Sequence, residues 1–251
     1  SQKLASIIKS KKDEVYVGSS TSINLFKLIK SILQSNKSIK NISTDNLNFP
    51  SDKYICELIA KDFKIDFNFL DYGSDLMADI EQLKEFIKEK RGIIVLSHVA
   101  FKSSYRYPIK EISKFCKDNN TIVIWDLSHS IGAIDINMEL NQVDYAIGCT
   151  YKYLNGGPGS PAFIYVREQE LRKLKSPIRG WFSHEKPFEY SNEYNESNSI
   201  EKFSNGTPHI LSLSTLKTSL DITIEATTEE LNIKSAKLFD YFVSIYIGKL
   251  K

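Results

Sequence analysis

One short run limits how this chain can fold more than any other feature. Ile93, Ile94, Val95 and Leu96 follow one another without a polar residue between Gly92 and Ser97. A strand with one wet face alternates apolar and polar side chains. An unbroken apolar run is what a central strand of a parallel sheet needs when both its faces are covered. Six other short runs have a similar strand-like character: Glu14–Gly18, Ser38–Ser43, Lys64–Leu70, Thr121–Asp126, Tyr145–Cys149 and Ala162–Val166. Between them lie stretches with apolar residues at helical spacing. Ser22–Gln34 places Ile23, Leu25, Phe26, Leu28, Ile29 and Ile32 on a helical stripe, and Pro50–Lys61 opens with proline at a first helical position. Ala78–Lys90 and Tyr107–Asp118 continue the pattern. Strand and helix in alternation predict an α/β domain with a mostly parallel central sheet and helices on both faces. Ligands of such sheets bind beyond the carboxyl ends of the strands, so the residues just after each strand are the ones to inspect.

The pattern changes after about residue 167. Arg179–Asn205 is long, aromatic and polar, with an Asn/Ser-rich loop at Ser191–Ser199. Leu211–Thr223 and Thr228–Ile247 then read as helices, and the apolar stretch Leu238–Ile247 would need a partner if exposed. A net charge of +2 over 251 residues gives no reason to expect nucleic acid or an acidic membrane surface as partner. Cys56, Cys116 and Cys149 are far apart, with no CxxC or Cys/His cluster, so neither a metal site nor a disulfide framework is expected. No apolar run reaches the roughly 18 residues of a bilayer span, and the N-terminus lacks a signal-peptide pattern. The expectation is a cytoplasmic protein.

Two residues after strands stand out. Asp126 closes the run Ile122–Val123–Ile124–Trp125, with His129 three residues on. An aspartate there can cap a helix, or it can pair with a protonated pyridine nitrogen. Lys152 follows the strand at Tyr145–Cys149, between Tyr151 and Tyr153, and precedes the turn Asn155–Gly156–Gly157–Pro158–Gly159. A lysine after a strand is ordinarily a solvated surface residue. In an apolar, aromatic setting its amine can instead act as a nucleophile toward an aldehyde. The glycine turn lacks the spacing of a nucleotide-binding loop.

Together, the DLxHxxG pattern at Asp126, Leu127, His129 and Gly132, followed by YKYLNGGPG at Tyr151–Gly159 and the flanking stretch Trp125–Val166, resembles the cofactor-binding core of kynureninases, pyridoxal 5′-phosphate (PLP) enzymes of the class V aminotransferase-like group. The resemblance extends to SSTSINL at Ser19–Leu25, to the FPSD motif at Phe49–Asp52, to Gly180–Glu185 (GWFSHE, with Ser183 where the motif has glycine) and to Phe203–Pro208. It implies that Lys152 attaches PLP as an imine, that Asp126 keeps the ring nitrogen protonated, and that His129 bonds near the ring's phenolic oxygen. Tyr151 would bind the phosphate and relay a proton. Thr21 and Ser22 would line the phosphate, as hydroxyls and N–H groups at a helix start can do, although a plain Ser/Thr cap would look the same. Phe49 would stack on the ring, with Pro50, Ser51 and Asp52 close by and Ser97 a further contact. Trp181 would reach the phosphate across a dimer interface, and Asn205, with Thr207 as the competing choice, would take a cofactor or substrate position.

The function implied is hydrolytic Cβ–Cγ cleavage of L-kynurenine or 3-hydroxykynurenine, giving an anthranilate and L-alanine, by a cytoplasmic homodimer. Residues 1–251 would be the PLP-binding large domain, with the family's N-terminal segment and small C-terminal domain absent. Two alternatives stay open. Another class V enzyme would share the sheet, Asp126 and Lys152, but a desulfurase needs a mobile cysteine, and none of the three cysteines falls in a suitable loop. A non-catalytic PLP-binding domain of the same family is the other.

Overall fold

Each of the seven apolar runs becomes a strand of a single sheet: β1 (Val15–Val17), β2 (Asn41–Asp45), β3 (Asp66–Leu70), β4 (Ile93–Ser97), β5 (Ile122–Asp126), β6 (Tyr145–Gly148) and β7 (Phe163–Val166). The computed structural model describes residues 1–249; Leu250 and Lys251, the last two residues of the expected domain, lie outside the described residues. The spatial order is β1-β7-β6-β5-β4-β2-β3. Strands β6, β5, β4, β2 and β3 pair in parallel, whereas β7 runs antiparallel to both of its neighbours. The segment between β6 and β7 holds the glycine turn.

Strand β4 shows why the sheet must be covered on both sides. All five of its residues are buried. Ile94 and Leu96 face one core with Leu83, Ile112 and Trp125, while Ile93 and Val95 face the other with Leu28, Ile32 and Ile59. Helices α2 (Thr21–Ser35) and α3 (Pro50–Phe63) supply the second layer. Helices α1 (Gln2–Ile7), α4 (Ile80–Glu89), α5 (Ile109–Asp118) and α7 (Ile210–Ala226) cover the first. Helix α6 (Glu168–Leu171) is a single turn after β7, and α8 (Thr228–Lys249) follows α7. Cys56, Cys116 and Cys149 are all buried and free.

Capping sets the helix starts. Ser20 accepts from the Ile23 N–H to begin α2, and Asp79 accepts from Glu81 and Gln82 N–H to begin α4, which therefore starts at Ile80 rather than at Ala78. Helix α5 starts at Ile109 because Pro108 holds the preceding Tyr107 out of helical conformation. Helix α8 is exposed along almost its whole length, with Leu238, Phe239, Tyr241 and Phe242 facing solvent. Among the described residues no helix is long and apolar enough to cross a membrane.

At the carboxyl end of β2, Asp45 is sealed from solvent. Its carboxylate accepts from Tyr107 Oη at 2.6 Å and from the N–H groups of Leu47 and Asn48. Burial outweighs these hydrogen bonds and pushes its pKa up to about 6. In the unfolded chain the group ionises near the ordinary aspartate value, so between about pH 4 and pH 6 the folded state binds more protons, and stability falls as pH rises. Asp45→Asn removes this dependence. We expect the stability difference between wild type and variant, measured by urea unfolding, to shift against the wild type by on the order of 2 kcal/mol between about pH 4.5 and about pH 7. A difference that does not change with pH would show that Asp45 ionises normally.

Candidate active site

Strands β4, β5 and β6 end level with one another. Ser97 pairs with Asp126, and Asp126 with Ile147, across the ladder. Beyond these ends a cavity of about 650 Å³ opens, large enough for a cofactor-sized molecule, with Thr21, Ser22, Phe49, Asp52, Asp126 and Lys152 in its wall. Asp126 leaves β5 buried, and its Oδ1 accepts from the Ser128 N–H at 2.8 Å. No helix follows, so the carboxylate organises a turn rather than a helix start. That turn carries His129 over to the loop from β6, where His129 Nε2 lies 2.8 Å from Lys152 Nζ. Burial, and next the Lys152 charge, push the His129 pKa down, outweighing Asp126. A neutral imidazole with its proton on Nδ1 accepts from the lysine amine at Nε2.

Asp52 enters from the first turn of α3 and is also buried, and among the described residues its Oδ2 has no hydrogen-bond partner. Burial, then the charge and hydrogen bond of Asp126, push its carboxyl well above the usual range. Burial raises Asp126 as well, against the pull of Ser128, Lys152 and His129. Two carboxyl groups thus meet in a dry corner, where ionising both is costly. A flat apolar surface adjoins them: Lys152 Nζ stands 5.7 Å from the Phe49 ring centre and 5.8 Å from that of Tyr151. On the far wall, Thr21 and Ser22 are the first two residues of α2, where backbone N–H groups have no helical acceptor. An amine, a carboxyl pair with an unpaired oxygen, an aromatic face and a helix start in one cavity fit an aldehyde, a basic ring nitrogen, a ring face and a phosphate. These are the parts of PLP.

The other expected residues divide. Ser51, Tyr151, Asn205 and Thr207 line the cavity, so the choice between Asn205 and Thr207 stays open. Pro50 is the first residue of α3 and is not part of the wall. Ser97 is buried one strand away and donates to Asn48 Oδ1. Trp181 stacks on Tyr190, 6.2 Å between ring centres, in a separate hollow with Arg179, His184 and Lys186. Within this one chain it does not reach the cavity. Its segment is nevertheless pinned to the wall, because Gly180 packs so closely on Asn205 that a Cβ would sit 2.1 Å from the Asn205 carbonyl oxygen. Ser183, where the motif has glycine, is buried and its Oγ accepts from the Gly180 N–H at 3.0 Å. Sequence reasoning missed Ser128, His209 and Leu213, which also line the cavity. Pro208 ahead of an apolar helix was the available signal that residues 205–209 gather at a helix start. Among the described residues no cluster could hold a metal ion.

The aminotransferase class-V family model matches residues 1–245. Among curated proteins, the kynureninase of Pseudomonas fluorescens is 36% identical over 97% of this chain, and that of Burkholderia mallei 33% identical over 97%. The chain spans 58% of the length of each. Among solved structures, a cysteine desulfurase from Thermococcus onnurineus superposes with a TM-score of 0.83 at 20% identity, covering 98% of this chain and 61% of that one. An alanine–glyoxylate aminotransferase from Nostoc gives 0.73 at 16% identity, covering 98% and 64%. The fold is therefore that of the PLP-dependent class V enzymes.

The two loops carrying Asp126 and Lys152 touch at Gly132. Its φ is +82°, and a Cβ would lie 2.9 Å from both the Tyr153 carbonyl oxygen and Leu154 Cδ2. We expect Gly132→Ala to cost roughly 1–3 kcal/mol in denaturant unfolding and to weaken PLP binding by parting His129 from Lys152. Unchanged unfolding midpoint and unchanged affinity would contradict the packing argument.

Proposed function

The chain belongs to the class V aminotransferase family, whose kynureninase and desulfurase relatives depend on PLP, and we propose that it carries the catalytic core of a kynureninase-type hydrolase. The reaction is hydrolytic Cβ–Cγ cleavage of L-kynurenine or 3-hydroxykynurenine, yielding anthranilate or 3-hydroxyanthranilate and L-alanine. The observation that carries the cofactor chemistry is the 2.8 Å contact of Lys152 Nζ with His129 Nε2, beside the buried pair Asp126 and Asp52. The kynurenine substrate is supported by the two curated relatives and by the motifs from Asp126 to Gly159. Bound PLP supplies a protonated ring that draws electrons from the substrate's Cα.

This chain's residues have the following tasks. Lys152 would hold the cofactor covalently and would move a proton at the substrate Cα. His129, neutral through burial, accepts from the lysine amine and fixes its direction. Asp126 would keep a proton on the ring nitrogen, beside Asp52, whose carboxyl is pushed up by burial and by Asp126. Phe49 would supply an aromatic face for the ring. Tyr151 is pushed up, by burial first and then by Cys149, so its phenol stays protonated and can give a proton back. Thr21 and Ser22 hold the phosphate, and Asn205 or Thr207 borders the substrate. Water would add to the γ-carbonyl, the Cβ–Cγ bond would break to release the anthranilate carboxylate, and the electron pair left on Cβ would take up a proton; acid–base help at such a step is worth about 10²–10⁴-fold. Trp181 completes the site from the partner of a homodimer, and the enzyme acts in the cytoplasm.

A second reading is binding of PLP without turnover. It is favoured by helix α8, whose apolar residues Leu238, Phe239 and Phe242 stand uncovered. Borohydride reduction of the PLP-mixed chain, with mass mapping, tests attachment, and alanine release from kynurenine against sulfide release from cysteine tests the reaction. We expect the label on Lys152, alanine but no sulfide, and in Lys152→Ala loss of the imine absorbance and more than about a 100-fold fall in alanine release. A label on another lysine would refute the attachment site. Label on Lys152 with no alanine would favour the second reading.

A further inference from the structure

Behind the wall of the cavity lies a buried amine without a carboxylate. Lys27, on α2, is 1% exposed. Its Nζ donates to Ser19 Oγ at 2.9 Å and to the Phe203 carbonyl at 3.0 Å, and stands 5.3 Å from the centre of the Tyr16 ring. Among the described residues it forms no ion pair with Asp or Glu; its partners are a hydroxyl, a carbonyl and a ring face. Burial alone pushes its pKa down to about 8, so the amine keeps most of its charge at neutral pH. An ammonium buried with no counter-charge is a net cost to folding.

The surroundings give that cost a use. Tyr16 and Ser19 face the cavity on the same wall as Thr21 and Ser22. Ser19 has a φ of +57°, a conformation few residues other than glycine adopt, and its carbonyl accepts from the Ala162 N–H at 2.9 Å. Lys27 therefore holds one side of a strained residue and Ala162 the other. A further polar residue of α2, also buried, holds the same stretch: Asn24 Nδ2 donates to the Gly18 carbonyl. Ser19 Oγ stands between the Lys27 amine and the Tyr16 hydroxyl.

We propose that Lys27 is a positioning residue for a phosphate group: it sets a fixed positive charge behind the first turn of α2 and, through Ser19 Oγ, orients that stretch toward the anion. The inference rests on the PLP reading of the cavity and adds to it a residue that does not itself face the ligand.

The test compares PLP with pyridoxal, which has the same ring and aldehyde but no phosphate. Both are titrated by imine absorbance into wild type, Lys27→Met and Ser19→Ala, and inorganic phosphate is added in thermal unfolding of each. Methionine keeps the unbranched stem and removes the charge. We expect Lys27→Met to weaken PLP about 10-fold or more, to change pyridoxal affinity less than about 2-fold, and to lose the thermal stabilisation that phosphate gives the wild type. Ser19→Ala, the variant to use should Lys27→Met not fold, is expected to act in the same direction by a smaller factor. Equal loss of PLP and pyridoxal affinity, or no loss of either, overturns the proposal. If neither aldehyde forms an imine with the wild type, the PLP reading has failed, and the phosphate arm alone decides: stabilisation that Lys27→Met abolishes supports the role of Lys27, and stabilisation that survives refutes it.

Discussion

The site depends on one contact between two loops, the lysine amine against the neutral imidazole. Lys152 and His129 come from different strands, and their 2.8 Å separation exists only because β5 and β6 end level and Gly132 lets the loops close. Without it Lys152 would be a half-solvated side chain after a strand, with no preferred direction. With it, the amine is aimed along the wall that holds Asp126 and Asp52. The electrostatics follow from the same closure. Excluding water from the corner raises both carboxyls and lowers the imidazole, so ionising both acids is costly and the ring beside the amine is disposed to stay neutral.

Much of this was legible in the chain because the period of the pattern carries it. Seven apolar runs became seven strands, since β-branched residues between turn signals have few other ways to be buried. Asp126 and Lys152 were legible because each follows a strand, and the ends of adjacent parallel strands fall in one place. The direction of β7 was not, because an apolar run reads the same both ways. Pro50 and Ser97 belong to matching motifs yet stand off the cavity: one is spent on starting a helix and the other on bonding Asn48. Lys27 was hidden for a different reason. Within a helix of alternating apolar and polar residues, a lysine reads as solvent-facing until its fold-mates Ser19 and Phe203 are known.

Fold and site speak at different levels here. Superposition on a desulfurase and on an aminotransferase at 20% and 16% identity establishes the sheet and its covering helices, and those are shared by enzymes of different chemistry. What separates such enzymes lies in a few side chains on the loops. All three cysteines of this chain are buried, so none of them offers a mobile thiol within the 61% of the desulfurase that this chain covers.

Those three thiols have a use of their own to the experimenter. Cys56 sits in α3 behind Asp52, Cys116 in α5 on the opposite face, and Cys149 at the foot of the Lys152 loop, its N–H bonded to Ser128 Oγ. Burial pushes the Cys116 thiol up to about 12 and that of Cys56 well above its usual value. A thiol-selective reagent can modify them only when the surrounding structure opens. Each therefore acts as a clock for its own region, and the rate at which Cys149 is modified measures how often the floor beneath the active loop comes apart.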